Sequence, residues 1–263
     1  MSTEQNDQLK MPSYLSASSI STWEQCPLRY KYSRIDLIPE PSTESQIMGN
    51  FVHEILEELY KLPNEQRTIA NAQQMSRVVW AREWPERLVA IGLTEKQMRE
   101  FRWKSWWCVE NLWAIENPND ISPIGLEAEY FVEVAPGVTI KGFVDRISEV
   151  EGGAKISDYK TGKFPRPAYM AQKWFQLLLY KIIVEKTIDK PVKEVELIYL
   201  KDGKSISRKT KDGDDEATLS KVVSVHGEIQ QALKTGDFPT KVSKLCDWCH
   251  YKRTCPAWSA RRS

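Results

Sequence analysis

Apolar and polar positions divide this chain into helical stretches at both ends and a run of alternation between them. Residues 16–32 set Ile20, Trp23, Pro27 and Tyr30 at helical spacing behind serines able to cap a helix start, and Cys26-Pro27 interrupts that helix. After a loop at 39–46, residues 47–62 predict a helix with Phe51, Val52, Ile55, Leu56, Leu59 and Tyr60 on one stripe. His53 lies on that stripe, and Gly49, one turn earlier, admits a close neighbour. Residues 68–117 predict further helices, broken at Pro85 and Gly92. A loop follows at 117–122.

Alternation begins at residue 124. Residues 124–134 predict a strand with Glu127, Glu129, Phe131 and Glu133 on one face. The turn Ala135-Pro136-Gly137 leads into a second strand over 138–150, and Gly152-Gly153 marks a two-residue hairpin, because glycine reaches positive φ without steric cost. Such a turn pairs Glu151 with Ala154, sets Asp145 opposite Lys160 and places Asp158 on the same face. Phe143, Ile147 and Ile156 share that face, which is therefore not simply solvated. Pro165 and Pro167 open a helix over 168–186 with Gln176 and Tyr180 one turn apart. Residues 195–200 predict another strand. The basic run 201–211 and the acidic run 212–216 read as solvated hairpin ends, and 217–234 as a helix with His226 on its surface.

Composition narrows the class. A net charge of +1 over 263 residues requires any nucleic-acid surface to be a local patch. No apolar run approaches the length of a membrane span, and the polar residues 1–15 carry no leader-like apolar core. The expectation is a cytoplasmic protein without membrane partners, with a flexible start over 1–15 and one large domain over 16–263. Six of the ten tryptophans (Trp80, Trp84, Trp103, Trp106, Trp107 and Trp113) fall in 68–117, and their spacing reads as the core of a helical lobe. Cys108 reads as a buried thiol.

Two clusters carry chemistry. Asp145, Asp158 and Lys160 on one patch of sheet make either a structural ion pair or a site for a hard divalent cation. Cys246, Cys249 and Cys255 stand at C-x₂-C-x₅-C within a segment at 240–258, a metal-ligand spacing. Zinc can take these three with His250 or Cys26, and an iron–sulfur cluster takes four thiolates, with Cys26 as the fourth.

Taken in order, these motifs resemble the PD-(D/E)XK nuclease superfamily in its RecB-like branch, among members with an iron–sulfur cluster such as the CRISPR-associated RecB-like exonucleases and the AddB nuclease domain. The resemblance runs through S-x-S-x-I-x-x-W-x-x-C-P-x-x-Y-x-Y at 16–32, Gly49-x-x-x-His53, the strand with Glu127 or Glu129, Gly142-x-x-Asp145, Asp158-x-Lys160-Thr161-Gly162, Gln176-x-x-x-Tyr180 and the cysteines. It departs in having aspartate at 158, where relatives often carry glutamate, and no P-loop is present. The resemblance implies an α/β, restriction-endonuclease-like mixed central sheet flanked by helices. It further implies an inserted helical lobe at about 68–117 and an iron–sulfur staple joining the two terminal segments. It implies Mg²⁺ or Mn²⁺ held by His53, Asp145, Asp158 and Glu127, with the Tyr159 carbonyl assisting, and a [4Fe-4S] cluster on Cys26, Cys246, Cys249 and Cys255, with Zn²⁺ the alternative there. Lys160, Gln176 and Tyr180 complete the catalytic group, while Arg29, Lys31 and Tyr180 are expected against DNA. The activity implied is hydrolysis of DNA, as an exonuclease on single-stranded ends that works with a helicase, integrase or recombination protein. A CRISPR-adaptation nuclease trimming DNA within a complex and a non-catalytic DNA-binding module are the alternatives.

Overall fold

The structure, a computed structural model, describes residues 10–259. Of the stretch expected to be flexible, residues 1–9 lie outside the described residues, and Leu15 is buried. The elements are β1 (Leu15–Ser16), α1 (Ala17–Gln25), α2 (Pro27–Tyr30), α3 (Glu44–Lys61), α4 (Ile69–Trp80), α5 (Trp84–Ala90), α6 (Glu95–Glu110), β2 (Pro123–Ala135), β3 (Val138–Val150), β4 (Gly153–Lys160), α7 (Met170–Ile188), β5 (Val192–Tyr199), β6 (Lys204–Lys209), α8 (Asp214–Thr235) and α9 (Pro256–Ser259). Two compact units emerge: a smaller one of residues up to 41, 131–141 and from 215 on, and a larger one of 42–130 and 142–214. No helix of the described residues is long and apolar enough to cross a membrane.

In the larger unit the sheet is mixed. β3 and β4 pair antiparallel, β4 and β5 parallel, and β5 and β6 antiparallel. The parallel β4–β5 pair needs a crossover, and α7 supplies it, packing on both strands. α3 starts on a capping box in which the Thr43 hydroxyl accepts from the Gln46 N–H at 3.3 Å while the Gln46 carboxamide accepts from the Thr43 N–H at 2.8 Å. Its buried stripe, from Ile47 to Tyr60, joins Trp84, Phe101 and Leu112 of the following helices and Tyr159 and Ile198 of the sheet in one core. Trp80, Trp84, Trp106 and Trp113 belong to that core as expected, whereas Trp103 and Trp107 do not: both are exposed on α6. Cys108 is buried, which pushes its thiol up to about 11.

The hairpin differs from expectation by one residue at its turn. Val150 pairs with Gly153 and Glu149 with Ala154, so the loop is Glu151-Gly152. The two glycines serve different ends. Gly152 has φ +72°, whereas a Cβ on Gly153 would lie 2.1 Å from the Pro191 carbonyl oxygen. The register therefore moves by two, and the face assignment survives because strand side chains alternate with period two. The basic run is also not a mere solvated end. Lys204–Lys209 forms β6, an edge strand whose two terminal lysines are exposed while Ile206 and Arg208 are half-buried.

In the smaller unit β1 pairs in parallel with the start of β3, Leu15 opposite Ile140. Pro27 starts α2 at its first turn, just after the Cys26 cap of α1. His226, expected at the surface, is buried. It shares the inward stripe of α8 with Val222, Val225 and Ile229, bonds the Gly137 backbone, and is held below the usual imidazole range by burial.

Gly153→Ala is expected to cost roughly 3 kcal/mol, since a backbone carbonyl must move. Gly152→Ala, which strains only φ, is expected to cost roughly 1 kcal/mol. Urea midpoints measure both, and the reverse ranking would contradict this account of the turn.

Candidate metal centre

Strand pairing brings the acids together. Arg146 lies opposite Ser157 and Ile147 opposite Ile156, so one further step along the ladder sets Asp145 level with Asp158, both buried. Lys160 follows on the same face, its Nζ 2.5 Å from Asp158 Oδ2. Phe143, expected to help cover this face, is 44% exposed, so the cover comes from α7 instead. Gly142 permits that approach: a Cβ there would stand 2.6 Å from Ile183 Cδ1 and 3.1 Å from Tyr180 Cδ1. The Gln176 amide N–H donates to Asp158 Oδ1 at 3.2 Å and to the Tyr180 hydroxyl at 2.9 Å.

α3 and β2 bring the remaining ligands. His53 Nδ1 is 3.2 Å from Glu127 Oε1 and 3.6 Å from Asp145 Oδ2, and Nε2 is 3.1 Å from the Tyr159 carbonyl oxygen. That carbonyl, expected to assist a metal, serves as the acceptor for His53 Nε2, which leaves Nδ1 facing the carboxylates. Asp145 Oδ2 also accepts from the Tyr159 N–H at 2.7 Å. Glu127 has φ +42°, a left-handed conformation that non-glycine residues seldom adopt. The alternation expected along 127–133 breaks there: Glu129, Phe131 and Glu133 are exposed, and Glu127 turns inward.

The donor set fits a hard divalent cation. The ligand atoms of His53, Glu127 and Asp145 all lie within 4.8 Å of one another. Glu127 Oε1 and Asp158 Oδ2 are buried, and each faces one charged group, His53 and Lys160 respectively, so a carboxylate oxygen has capacity left for an ion. Charges inside the cluster hold each other in place. Burial alone would push His53 down, but Asp145 and Glu127 outweigh it and raise the imidazole from 6.5 to about 9. Burial raises Asp145, against the pull of His53. Lys160 is also raised, since Asp158 and Asp145 outweigh its burial. Burial, then the charge of Asp158, raises the Tyr180 phenol, which stays protonated.

Behind the cluster lies a buried network absent from the sequence reading. The Arg146 guanidinium meets Glu116 at 2.5 and 2.8 Å and donates to Ser157 Oγ at 3.1 Å. Its guanidinium carbon also lies 4.7 Å from the Tyr60 ring centroid, and the Tyr60 hydroxyl donates to Glu116. Tyr60 stands two turns after His53 on α3, so this ion pair fixes the helix that carries the imidazole. Lys173 was missed too. It is half-buried, one turn before Gln176, and lowered by burial and then by the charge of Lys160. The spacing Lys173-x-x-Gln176-x-x-x-Tyr180 is the signal that could have found it.

The remaining candidates lie in the smaller unit. Cys26, Cys246, Cys249 and Cys255 line one cavity of about 50 Å³, together with Arg29. His250, weighed as a zinc ligand, is exposed against the Tyr251 ring and does not line it. Among the described residues the cysteine sulfurs form no set of three within 4.8 Å. Arg29 pairs with Glu40 at 3.3 Å and Lys31 with Asp36 at 2.7 Å.

Comparison with known proteins follows the same geometry. The family model of the PD-(D/E)XK nuclease superfamily matches residues 14–256. The Gene 69 protein of Mycobacterium phage L5 is 23% identical over 285 positions, 92% of this chain and 96% of that protein. The Gene 69 protein of Mycobacterium phage D29 is 24% identical over 284 positions, 95% and 99% of the two chains. A crystal structure from Eubacterium rectale, named as a candidate exonuclease, shares the fold at a TM-score of 0.59 and 12% identity, covering 95% of this chain and 92% of that one.

The proton that His53 holds up to about 9 must leave before Nδ1 can bind a cation. Apparent Mn²⁺ affinity is therefore expected to rise with pH from 6.5 toward about 9, with proton release at neutral pH. Calorimetry in two buffers of different ionisation heat measures this, and binding without proton release would contradict it.

Proposed function

The chain belongs to the PD-(D/E)XK nuclease superfamily, and from that premise we propose that it is a divalent-metal-dependent deoxyribonuclease, acting as an exonuclease on single-stranded DNA ends. The observation that carries the reading is the convergence of His53, Glu127 and Asp145 beside the Asp158–Lys160 pair. Mg²⁺ or Mn²⁺ held there supplies charge neutralisation at the scissile phosphate and a more acidic water. The preference for ends and for single strands comes from the RecB-like resemblance of the motifs.

The side chains divide the work. Asp158 and Asp145 would hold the ion with Glu127 and His53, and the Nε2 bond to the Tyr159 carbonyl fixes the imidazole with Nδ1 toward the carboxylates. Lys160 keeps its proton and places a positive charge where phosphate oxygens gain negative charge during attack. It orients the attacking water rather than deprotonating it. Gln176 uses its N–H groups on Asp158 and Tyr180, so the Tyr180 O–H is left to donate to a backbone oxygen of the substrate.

We also assign a [4Fe-4S] cluster to Cys26, Cys246, Cys249 and Cys255. The four cysteines line one cavity, which supports a shared ligand there. The choice of a cluster over Zn²⁺ on the same thiolates comes from the RecB-like resemblance. The cluster's role is structural, tying the segment around Cys26 to the segment after Cys246, because hydrolysis transfers no electrons.

Anaerobically purified protein, with its cluster measured by visible absorption, is expected to degrade end-labelled single-stranded DNA with Mn²⁺ or Mg²⁺ and to spare circles. Lys160→Ala is expected to lose at least about 100-fold in rate, in the range of a lost electrostatic group, and EDTA to abolish activity. Full activity in EDTA, or in Lys160→Ala, would overturn the assignment.

A further inference from the structure

We propose that the α4–α6 face is a binding site for single-stranded nucleic acid, sharing no residue with the metal centre. It rests on the nuclease reading and gives that reading a substrate-holding surface. An open groove of about 320 Å³ runs there, lined by Gln73 and Arg77 of α4 and by Arg99, Arg102, Trp103 and Trp106 of α6. The lining positions fall one turn apart on each helix, so a single face of each is presented.

The charge on that face is poorly answered from within. Arg77 is exposed and makes no ion pair among the described residues. Arg99 has Glu95 at 3.9 Å, with the two side chains 71% and 90% exposed, a pairing too wet to neutralise it. Arg102 lies 4.7 Å over the Trp80 ring, an interaction that leaves its charge intact. Three guanidiniums at one groove repel each other unless an anion lies between them.

The aromatic groups are equally specific. Trp103 is 65% and Trp107 45% exposed, with rings stacked at 17° and 5.8 Å between centroids. Indole faces left in water do nothing for the core, which buries Trp84 and has Trp80, Trp106 and Trp113 packed against it. Flat apolar faces beside guanidiniums suit a polyanion whose flat bases are unpaired: phosphates on the arginines, bases on the indoles. Duplex DNA buries its base faces in its own stack. An acidic peptide would use the arginines and have no use for the indole faces.

The test is binding in EDTA by the full chain, with cleavage stopped. The probe is a fluorescein-labelled oligothymidylate of about 20 nucleotides, longer than the roughly 4–16 nucleotides covered by one single-strand module. Anisotropy and tryptophan quenching are read together. Arg77→Glu with Arg99→Glu is expected to weaken binding at least about tenfold and to reduce the slope of log affinity against log salt by roughly 1.4, the value for two phosphates. Trp103→Ala with Trp107→Ala is expected to weaken binding about tenfold, the scale of a lost base stack, and to remove most of the quenching. All four side chains are exposed, and circular dichroism checks that the fold persists. Wild-type binding that neither double variant weakens would overturn the proposal and leave the nuclease reading standing. Tryptophan variants that bind normally, with arginine variants that lose polyglutamate as much as oligothymidylate, would make this a general anion surface and also overturn it. A wild type that neither binds nor cuts nucleic acid would overturn the nuclease reading itself.

Discussion

Carboxylates confined together at low solvent exposure repel one another, and each is costly to ionise unless a cation answers it. Asp145 of β3, Asp158 of β4 and Glu127 of β2 meet at one place, and among the described residues Lys160 and a protonated His53 answer them while burial raises Asp145. The excess of negative charge persists because the surrounding fold holds the groups in place. Arg146 and Glu116 brace α3 and the strands from behind, a buried pair whose partners also bond Ser157 and Tyr60. Gln176 ties α7 to Asp158 in front. The proposed divalent ion would relieve that excess, and the same carboxylates raise Lys160 and hold it charged.

Small residues allow the bracing elements to come close. Gly142 leaves room for Tyr180 and Ile183 of α7, and Gly153 leaves room for the Pro191 carbonyl at the other end of the hairpin. From Arg146 to Val150 the two strands keep one register, and one further step brings Asp145 level with Asp158, two residues before Lys160. The motif glycine three residues before Asp145 is therefore a packing requirement for the residue that reaches in from α7. Glu127 reaches the same place by another route, through a left-handed residue inside a strand, which is where local strain redirects a side chain.

How much of this was legible follows from which signals are local. The helix over residues 47–62 was readable because a capping threonine and an apolar stripe coincide there, and the shared face of Asp145, Asp158 and Lys160 because parity outlasts a register error of two. The turn itself was misplaced by one residue: two adjacent glycines do not tell which of them takes positive φ and which avoids a carbonyl. His226 and the exposed Trp103 and Trp107 were misread because a helix face goes to core or solvent according to its neighbour. β6 was hidden by its lysines, which an edge strand carries for protection. The Arg146–Glu116 pair joins residues 30 apart in sequence, and no spacing rule reaches that far.

The measurement that bears most directly on the central claim is thermal unfolding of wild type and Glu127→Gln, each in EDTA and in saturating Mn²⁺, at slightly alkaline pH. If unrelieved carboxylate charge is the constraint, Glu127→Gln melts higher than wild type in EDTA, because one buried charge has gone. Mn²⁺ then raises the wild type by about 2.7 kcal/mol at a hundredfold excess over Kd and raises the variant much less. A variant that melts lower in EDTA and keeps the full Mn²⁺ response would show that Glu127 is a structural partner of His53 and that the cluster is not built around a cation.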